Sequence, residues 1–251
     1  HHHAHTMAVA AEYGLTGDVY GLSLDGVGLG TDNLAWGCEV LHCQEDGTFA
    51  RLGHLENMPL PGGDAAAREP WRMGVAAALM CERQANAAAL WPQRPTAALM
   101  KLAANPRLTT RTSSAGRLFD AVAAITGLIE VQSDEAQAAM LLEAAAGPFT
   151  SQSALWLGDL SDLWRLVPED DMTVLSLRPL LTRLIELRES KASAADMSRL
   201  FHAAFSQALA ALARRSIPTG SVVCLSGGTF LNRFIASDLA QRLNALGYRP
   251  Y

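Results

Sequence analysis

Lysine is nearly absent. Lys101 and Lys191 are the only two in 251 residues, the other basic residues are arginines, and the net charge is −5. No basic cluster stands out, so composition gives no reason to expect nucleic-acid binding. No apolar run approaches membrane-spanning length, and no signal-peptide pattern is present. The four cysteines, Cys38, Cys43, Cys81 and Cys224, form no CxxC pair. They read as small core residues of a reduced, cytoplasmic protein. A Walker loop, a Ser-His-Asp set, internal repeats, coiled coil and low-complexity stretches are all missing.

What remains is 49% apolar and 18% charged, the balance of a soluble globular chain. It is long enough for one large or two small domains with a real core. Abundant alanine favours helix.

The most informative stretch is SVVCLSGGTFLNR, Ser221–Arg233. Its β-branched apolar run, bounded by Gly220 and by Ser226-Gly227-Gly228, predicts a buried strand. Phe230, Leu231, Phe234, Ile235, Leu239 and Leu243 then fall at helical spacing. Gly227 and Gly228 let a ligand approach the backbone without meeting a Cβ. The free N–H groups of a following helix start favour phosphate. Asn232, one turn in, has an amide that suits a base or ribose. An ordinary tight turn has the same pattern.

In chain order, residues 1–14 predict a helix with Met7, Val9 and Ala10 inward. Asp18–Leu24 predicts a strand ending in a turn at Gly26, Gly28 and Gly30, and Leu34–Cys43 and Thr48–Leu55 complete an antiparallel meander. Met58–Asp64 is a breaker-rich loop. Asp64 is placed to cap a helix to about Ala89 that Pro70 kinks or restarts. Ser113 or Ser114 caps a helix over Ala115–Thr126 that ends at Gly127. Helices follow over Asp134–Ala146, Leu177–Arg188 and Ala192–Arg214. Ser151–Asp171 reads as irregular, anchored by Trp156 and Trp164. A further strand starts near Tyr251. This order fits a mixed sheet with helices on both faces and a helical insertion.

His1-His2-His3-Ala4-His5 contains HxxxH. On a helix this stacks two imidazoles on one face, suited to one metal ion; an expression-tag remnant has the same look. Asp25, at a strand end before Gly26, is the best third ligand. Gly116 and Asp120 share a helix face, where a carboxylate can accept ribose hydroxyls or simply meet solvent. Gly62-Gly63-Asp64 reads as a capping turn or a substrate-lining loop. Arg68 and Arg72 suit a carbamate or phosphate, or surface ion pairs. His202, between Phe201 and Phe205, reads as structural.

Four motifs in order, HHHAH, SLDGVGLG, LPGGDAAAREPWR with SSAGRLFDAVAAITG, and LSGGTFLNR, closely resemble the transferase domain of the HypF carbamoyltransferases of nickel–iron hydrogenase maturation. These are relatives of the TsaD and TobZ enzymes. The resemblance implies an actin/Hsp70/sugar-kinase-like (ribonuclease H-like) lobe over essentially the whole chain. It implies transfer of a carbamoyl group from carbamoyl-adenylate, made upstream from carbamoyl phosphate and ATP, to the C-terminal cysteine of HypE. It places metal ligands, iron or zinc, on His1, His5 and the catalytic Asp25, and phosphate beside Gly26. Ribose falls to Asp120 with Gly116, and the adenosine side to Gly227, Gly228 and Asn232. The expected first lobe and a DGG-type tail with a fourth ligand are absent, and no glycine stands near Glu135-Ala136-Gln137. The expectation is therefore mostly a second lobe. The rival readings are a small-molecule O-carbamoyltransferase and a non-catalytic HypE-docking module.

Overall fold

The computed structural model describes residues 1–148 and 157–251. The proposed Trp156 anchor and residues 151–156 of the irregular stretch lie outside them. Helix α1 (His2–Glu12) precedes three strands, β1 (Val19–Leu29), β2 (Ala35–Cys43) and β3 (Phe49–Leu55). Both β1–β2 and β2–β3 pair antiparallel, which is the expected meander. After β4 (Met58–Pro59) come helices α2 (Asp64–Arg68), α3 (Pro70–Met80), α4 (Gln84–Leu90) and α5 (Thr96–Ala103). Then follow β5 (Arg111–Thr112), α6 (Ala115–Ile125) and α7 (Gln137–Ala146). Strands β6 (Arg165–Glu169) and β7 (Met172–Ser176) form a hairpin, leading to α8 (Arg178–Glu189) and α9 (Ala194–Ser216). The chain closes with β8 (Val222–Ser226), α10 (Arg233–Ala245) and β9 (Arg249–Pro250).

Among the described residues the sheet runs β6-β7-β3-β2-β1-β8-β9, with β4 and β5 branching beside β2. Strand β8 lies parallel to β1, and β9 parallel to β8. Alternation along the strands sends side chains to two cores. Val19, Leu41, Cys43 and Cys224 meet Ala10 of α1 on one face. Leu22, Leu24, Cys38 and Val40 enter the larger core on the other. Helix α1 sits close to the sheet because Gly21 has no Cβ; one there would overlap the Thr6 side chain. In the larger core Phe119 of α6 packs edge-on against Phe201 of α9, with ring centres 4.9 Å apart. Phe205 stacks on Phe201 one turn later. Burying each ring contributes roughly 1.5–3 kcal/mol, and together they fix α6, whose N-terminus points back to the end of β1.

Several local expectations change. The expected Gly26–Gly30 turn is strand: β1 continues to Leu29, with a register shift between Leu24 and Gly28. The segment from Asp64 to Ala89 is three helices. Pro70 starts α3 at its first position, and Glu69 before it leaves the helical region (φ −124°, ψ 77°), which a following proline disfavours. Asp64 is the first helical residue of α2, and Gly63 is its cap. Part of the Met58–Asp64 loop is β4. Helix α7 begins at Gln137 rather than Asp134. The stretch taken as irregular to Asp171 contains β6, and β7 follows it as a strand that the pattern did not announce. Leu231 does not join the apolar stripe: it lies in a short 3-10 turn, Gly228–Leu231, and is exposed. Burial pushes the Cys43 thiol up to about 12 and the Cys224 thiol up to about 11, which fits inert core cysteines.

Candidate functional site at the end of β1

Helix α1 and strand β1 bring the two halves of one cluster together. The His5 N–H bonds the His1 carbonyl at 3.0 Å, so the two imidazoles stand one turn apart, ring centres 4.7 Å apart and nearly perpendicular. Both face Asp25. His1 Nε2 lies 2.8 Å from Asp25 Oδ2 and His5 Nε2 lies 3.4 Å from it. The other carboxylate oxygen accepts the Gly26 N–H at 2.8 Å and, from β8's turn, the Gly228 N–H at 3.4 Å. Asp25 is therefore aimed by backbone on one side and offered to two histidines on the other.

Close approach explains the glycines. A Cβ at Gly227 would strike the Leu24 carbonyl, and its φ is +97°. A Cβ at Gly116 would sit 2.8 Å from the Gly26 Cα. A Cβ at Gly28 would overlap the His1 and His2 rings. At Gly26, by contrast, the space in front of the backbone is open. The Ser114 hydroxyl caps α6 by accepting the Arg117 N–H at 3.0 Å and donates to the Gly26 carbonyl. The positive end of the α6 dipole is thus held against Gly26, favourable for an anion there.

The structure gathers His1, His5, Asp25, Gly26, Gly116, Gly227 and Gly228 around the register shift within β1, just past the end of its pairing with β8. Asp25 is not at the expected strand end, because β1 runs on to Leu29. Two further residues singled out from sequence stand apart. Asp120 is one turn along α6 and buried. Arg117 Nε lies 2.9 Å from its Oδ2 but is not aligned as a hydrogen bond, so that oxygen carries none from the described residues. Gln132 reaches Oδ1 only at 3.4 Å. Burial pushes the Asp120 carboxyl up to about 6, against the pull of Arg117. Asn232 is not one turn into a helix but the cap of α10. Its Oδ1 accepts the Ile235 N–H at 3.0 Å, and its Nδ2 donates to His202 Nε2 at 2.9 Å. His202 in turn donates from Nδ1 to the Ser198 carbonyl at 2.7 Å, which makes it the structural histidine its surroundings suggest. Past this turn opens a cavity of about 820 Å³ lined in part by Glu143, His202, Arg233 and Phe234. Arg72 is taken up by Glu69 at 2.5 Å, the ion-pair reading rather than the anion-binding one.

Two groups escaped the sequence reading. His2 is buried, with neither ring nitrogen hydrogen-bonded among the described residues. Ligand atoms of His1, His2 and Asp25 all lie within 4.8 Å of one another. Imidazole nitrogens and a carboxylate oxygen are the donor set that zinc and ferrous iron accept, so the residues present fit such an ion. The second group is Glu39, a fully buried carboxylate of β2. A charged residue inside the apolar run WGCEVLHC, with Arg51 on the next strand, was its available signal.

Residues 21–251 match the family described as carbamoyltransferase, Kae1-like domain, second subdomain. Carbamoyltransferase HypF2 of Cupriavidus necator is 40% identical over 98% of this chain and 33% of its own length. A HypF homolog from the same organism is 41% identical, over 98% of this chain and 63% of its own. HypF of Rhizobium leguminosarum is 39% identical, over all of this chain and 31% of its own length. The chain thus spans between 31% and 63% of the length of these relatives. A full-length HypF crystal structure in the phosphate- and nucleotide-bound form superposes with a TM-score of 0.84 at 30% identity, over 100% of this chain and 39% of that one. The T. kodakarensis HypF structure gives 0.78 at 28%, over 100% and 33%. The architecture is accordingly the actin-like, ribonuclease H-like lobe of those proteins. With 231 consecutive positions matched, from 21 to 251, the chain belongs to the carbamoyltransferase family, as the second subdomain of its Kae1-like domain.

Proposed function

We propose that this chain is the second lobe of a HypF-type carbamoyltransferase of hydrogenase maturation, and that the register shift of β1 at Asp25 and Gly26 is where the carbamoyl group is handed over. The observation that carries this is the convergence of His1, His5 and Asp25 on one point beside the open face of Gly26. The donor is carbamoyl-adenylate, formed from carbamoyl phosphate and ATP by domains outside this chain. The acceptor is the C-terminal cysteine of HypE.

His1 and Asp25, with His5 as the expected third donor and the neighbouring His2 as the alternative, would hold a divalent iron or zinc ion, which when bound supplies Lewis-acid polarisation of phosphate and carbamoyl oxygens. The Gly26 and Gly116 surfaces admit the phosphate to the start of α6 without a Cβ in the way. Asp120 Oδ2, free of a chain donor among the described residues, accepts from the ribose hydroxyls. Gly227 and Gly228 clear the backbone on the adenosine side, and Asn232 holds that turn through His202. The incoming thiolate forms the S–C bond as the C–O bond of the mixed anhydride breaks, and AMP leaves with that electron pair. The protein's share is alignment and charge stabilisation.

Titration of this chain with ADP, with metal content read on the same sample, tests the site; binding with about one equivalent of metal is the expected result. In the full-length protein, single-turnover transfer from preformed carbamoyl-adenylate tests the role. A His1/His5/Asp25 triple alanine variant that transfers at the wild-type rate would refute it. Carbamoylation of a hydroxylated metabolite in place of HypE, or HypE capture with no turnover, would replace it with one of the two rival readings.

A further inference from the structure

Glu39 is surrounded by donors. Its Oε1 accepts from the Gly37 N–H at 2.9 Å, the Cys38 N–H at 3.1 Å and the Ser113 hydroxyl at 2.5 Å. Its Oε2 accepts from Arg51 Nε at 2.6 Å and Nη2 at 2.5 Å. Arg51 also gives Nη2 to Ser113 Oγ at 3.1 Å and lies 4.0 Å over the Trp36 ring. A buried ion pair can often be replaced by apolar residues without loss of stability. Stability alone therefore does not call for one here, and its neighbours suggest another use.

Those neighbours lead to the reaction site in one step. Ser113 is bonded to Ser114, whose hydroxyl donates to the Gly26 carbonyl and lies 3.2 Å from the Asp25 carbonyl. From the other side Gly37 presses on the same peptide: a Cβ there would lie 2.6 Å from the Asp25 carbonyl oxygen and 2.8 Å from the Ser114 Cα. The register shift between Leu24 and Gly28 sits opposite this point. One carboxylate thus holds both walls of the Asp25–Gly26 peptide, Gly37 directly and Ser114 through its neighbour Ser113.

We propose that Glu39 and Ser113 are positioning residues that set where Asp25 points, with Arg51 holding Glu39 in place. They act through Ser114 and Gly37 and touch neither substrate nor ion. The functional consequence rests on the reading of Asp25 as a reaction-site residue; the positional one does not. Ser113→Ala is the informative variant, because it removes the link and leaves the Glu39–Arg51 pair intact. Ser113→Thr is the conservative control.

Two readouts on this chain decide the matter: the Gly26 amide resonance of the metal-free protein, and titration with Co²⁺ as a spectroscopic stand-in ion. The expected result for Ser113→Ala is a displaced Gly26 resonance and Co²⁺ binding weakened roughly 10–100-fold, the range for residues that orient ligands, with both restored by Ser113→Thr. A variant that melts at a lower temperature but keeps the Gly26 resonance and the Co²⁺ affinity would overturn the proposal, since that is what a purely structural bond does. If the unmodified chain takes up no Co²⁺, the metal reading fails by itself, and the Gly26 resonance alone decides whether Ser113 positions Asp25.

Discussion

Glu39 and Asp120 are both carboxylates buried beside an arginine, yet they are treated in opposite ways. Glu39 receives five donors from two backbone amides, one hydroxyl and a two-pronged guanidinium. Asp120 has its arginine one turn earlier on the same helix, close but misaligned, and one long contact from Gln132. Strands β2 and β3 can aim Arg51 squarely at Glu39 because the two side chains come from neighbouring strands. On α6, Arg117 and Asp120 are three residues apart and must share one helix surface. Proximity to an opposite charge does not by itself satisfy a buried carboxylate; the direction of the donor decides. The satisfied group is suited to holding structure. The unsatisfied one leaves a buried oxygen, Asp120 Oδ2, without a hydrogen bond among the described residues.

The largest expected effect breaks the satisfied pair. Arg51→Met leaves Glu39 buried and uncompensated, and chemical denaturation should show a loss of roughly 3–5 kcal/mol. A loss below 1 kcal/mol would mean that the pair is far wetter than its burial implies.

Next comes Asp120. Its folded carboxyl binds protons more readily than the unfolded one, about 6 against an ordinary 3.8. The native state is thus favoured while the group is protonated, below the ordinary value. That advantage is lost as pH rises from 3.8 through about 6. The difference amounts to about 3 kcal/mol. Asp120→Asn should therefore stabilise the chain at neutral pH and above, by up to that amount, and do little well below the ordinary carboxyl range. The measurement is unfolding free energy against pH, and a slope between those values that the substitution leaves unchanged would assign the titration elsewhere. If Asp120 also receives a ribose, the same variant should weaken ADP.

Asn232→Ala falls between the extremes. It removes the cap of α10 and leaves His202 Nε2 buried without its donor, a cost of about 2 kcal/mol when the two are taken together. Thermal melts of the variant and of Asn232→Ser, which keeps a capping oxygen, separate the two contributions. The smallest effect is Arg233→Ala. Its side chain is 93% exposed and meets Glu143 only at 3.5 Å, so stability should stay within about 0.5 kcal/mol. A larger change would show that exposure misjudges that pair.

How legible these features were follows from how local they are. HxxxH on a helix, the strand before Asp25 and the Ser114 cap each depend on residues a few positions apart, and all three stand where their spacing puts them. The glycine-rich stretch after Asp25 misled because glycine also serves close packing: Gly28 continues β1 and clears the His1 and His2 rings, and Gly30, just past the strand, clears Trp36. Strand β7 was hidden because MTVLS runs straight into the Leu177 that opens the next helix and is pinned by pairing with distant β3. Asn232 kept its place in the motif but changed neighbours, since a 3-10 turn separates it from Gly228 and turns its amide toward His202.

By itself the sequence determined the alternation of strands and helices, the buried Cys38, Cys43 and Cys224 and the family, and it offered His1, His5, Asp25 and Gly26 as candidates for an ion and a phosphate. These are properties of composition, period and short motifs. Only the tertiary structure decided that His1 and His5 share one oxygen of Asp25, that Asp120 Oδ2 has no hydrogen bond among the described residues, and that Glu39, fourteen residues past Asp25, is bonded to both Gly37 and Ser113 beside it. The reason is physical. Hydrogen bonds and buried charges depend on ångström-scale direction between segments 24 to 203 residues apart, and no local pattern records that direction.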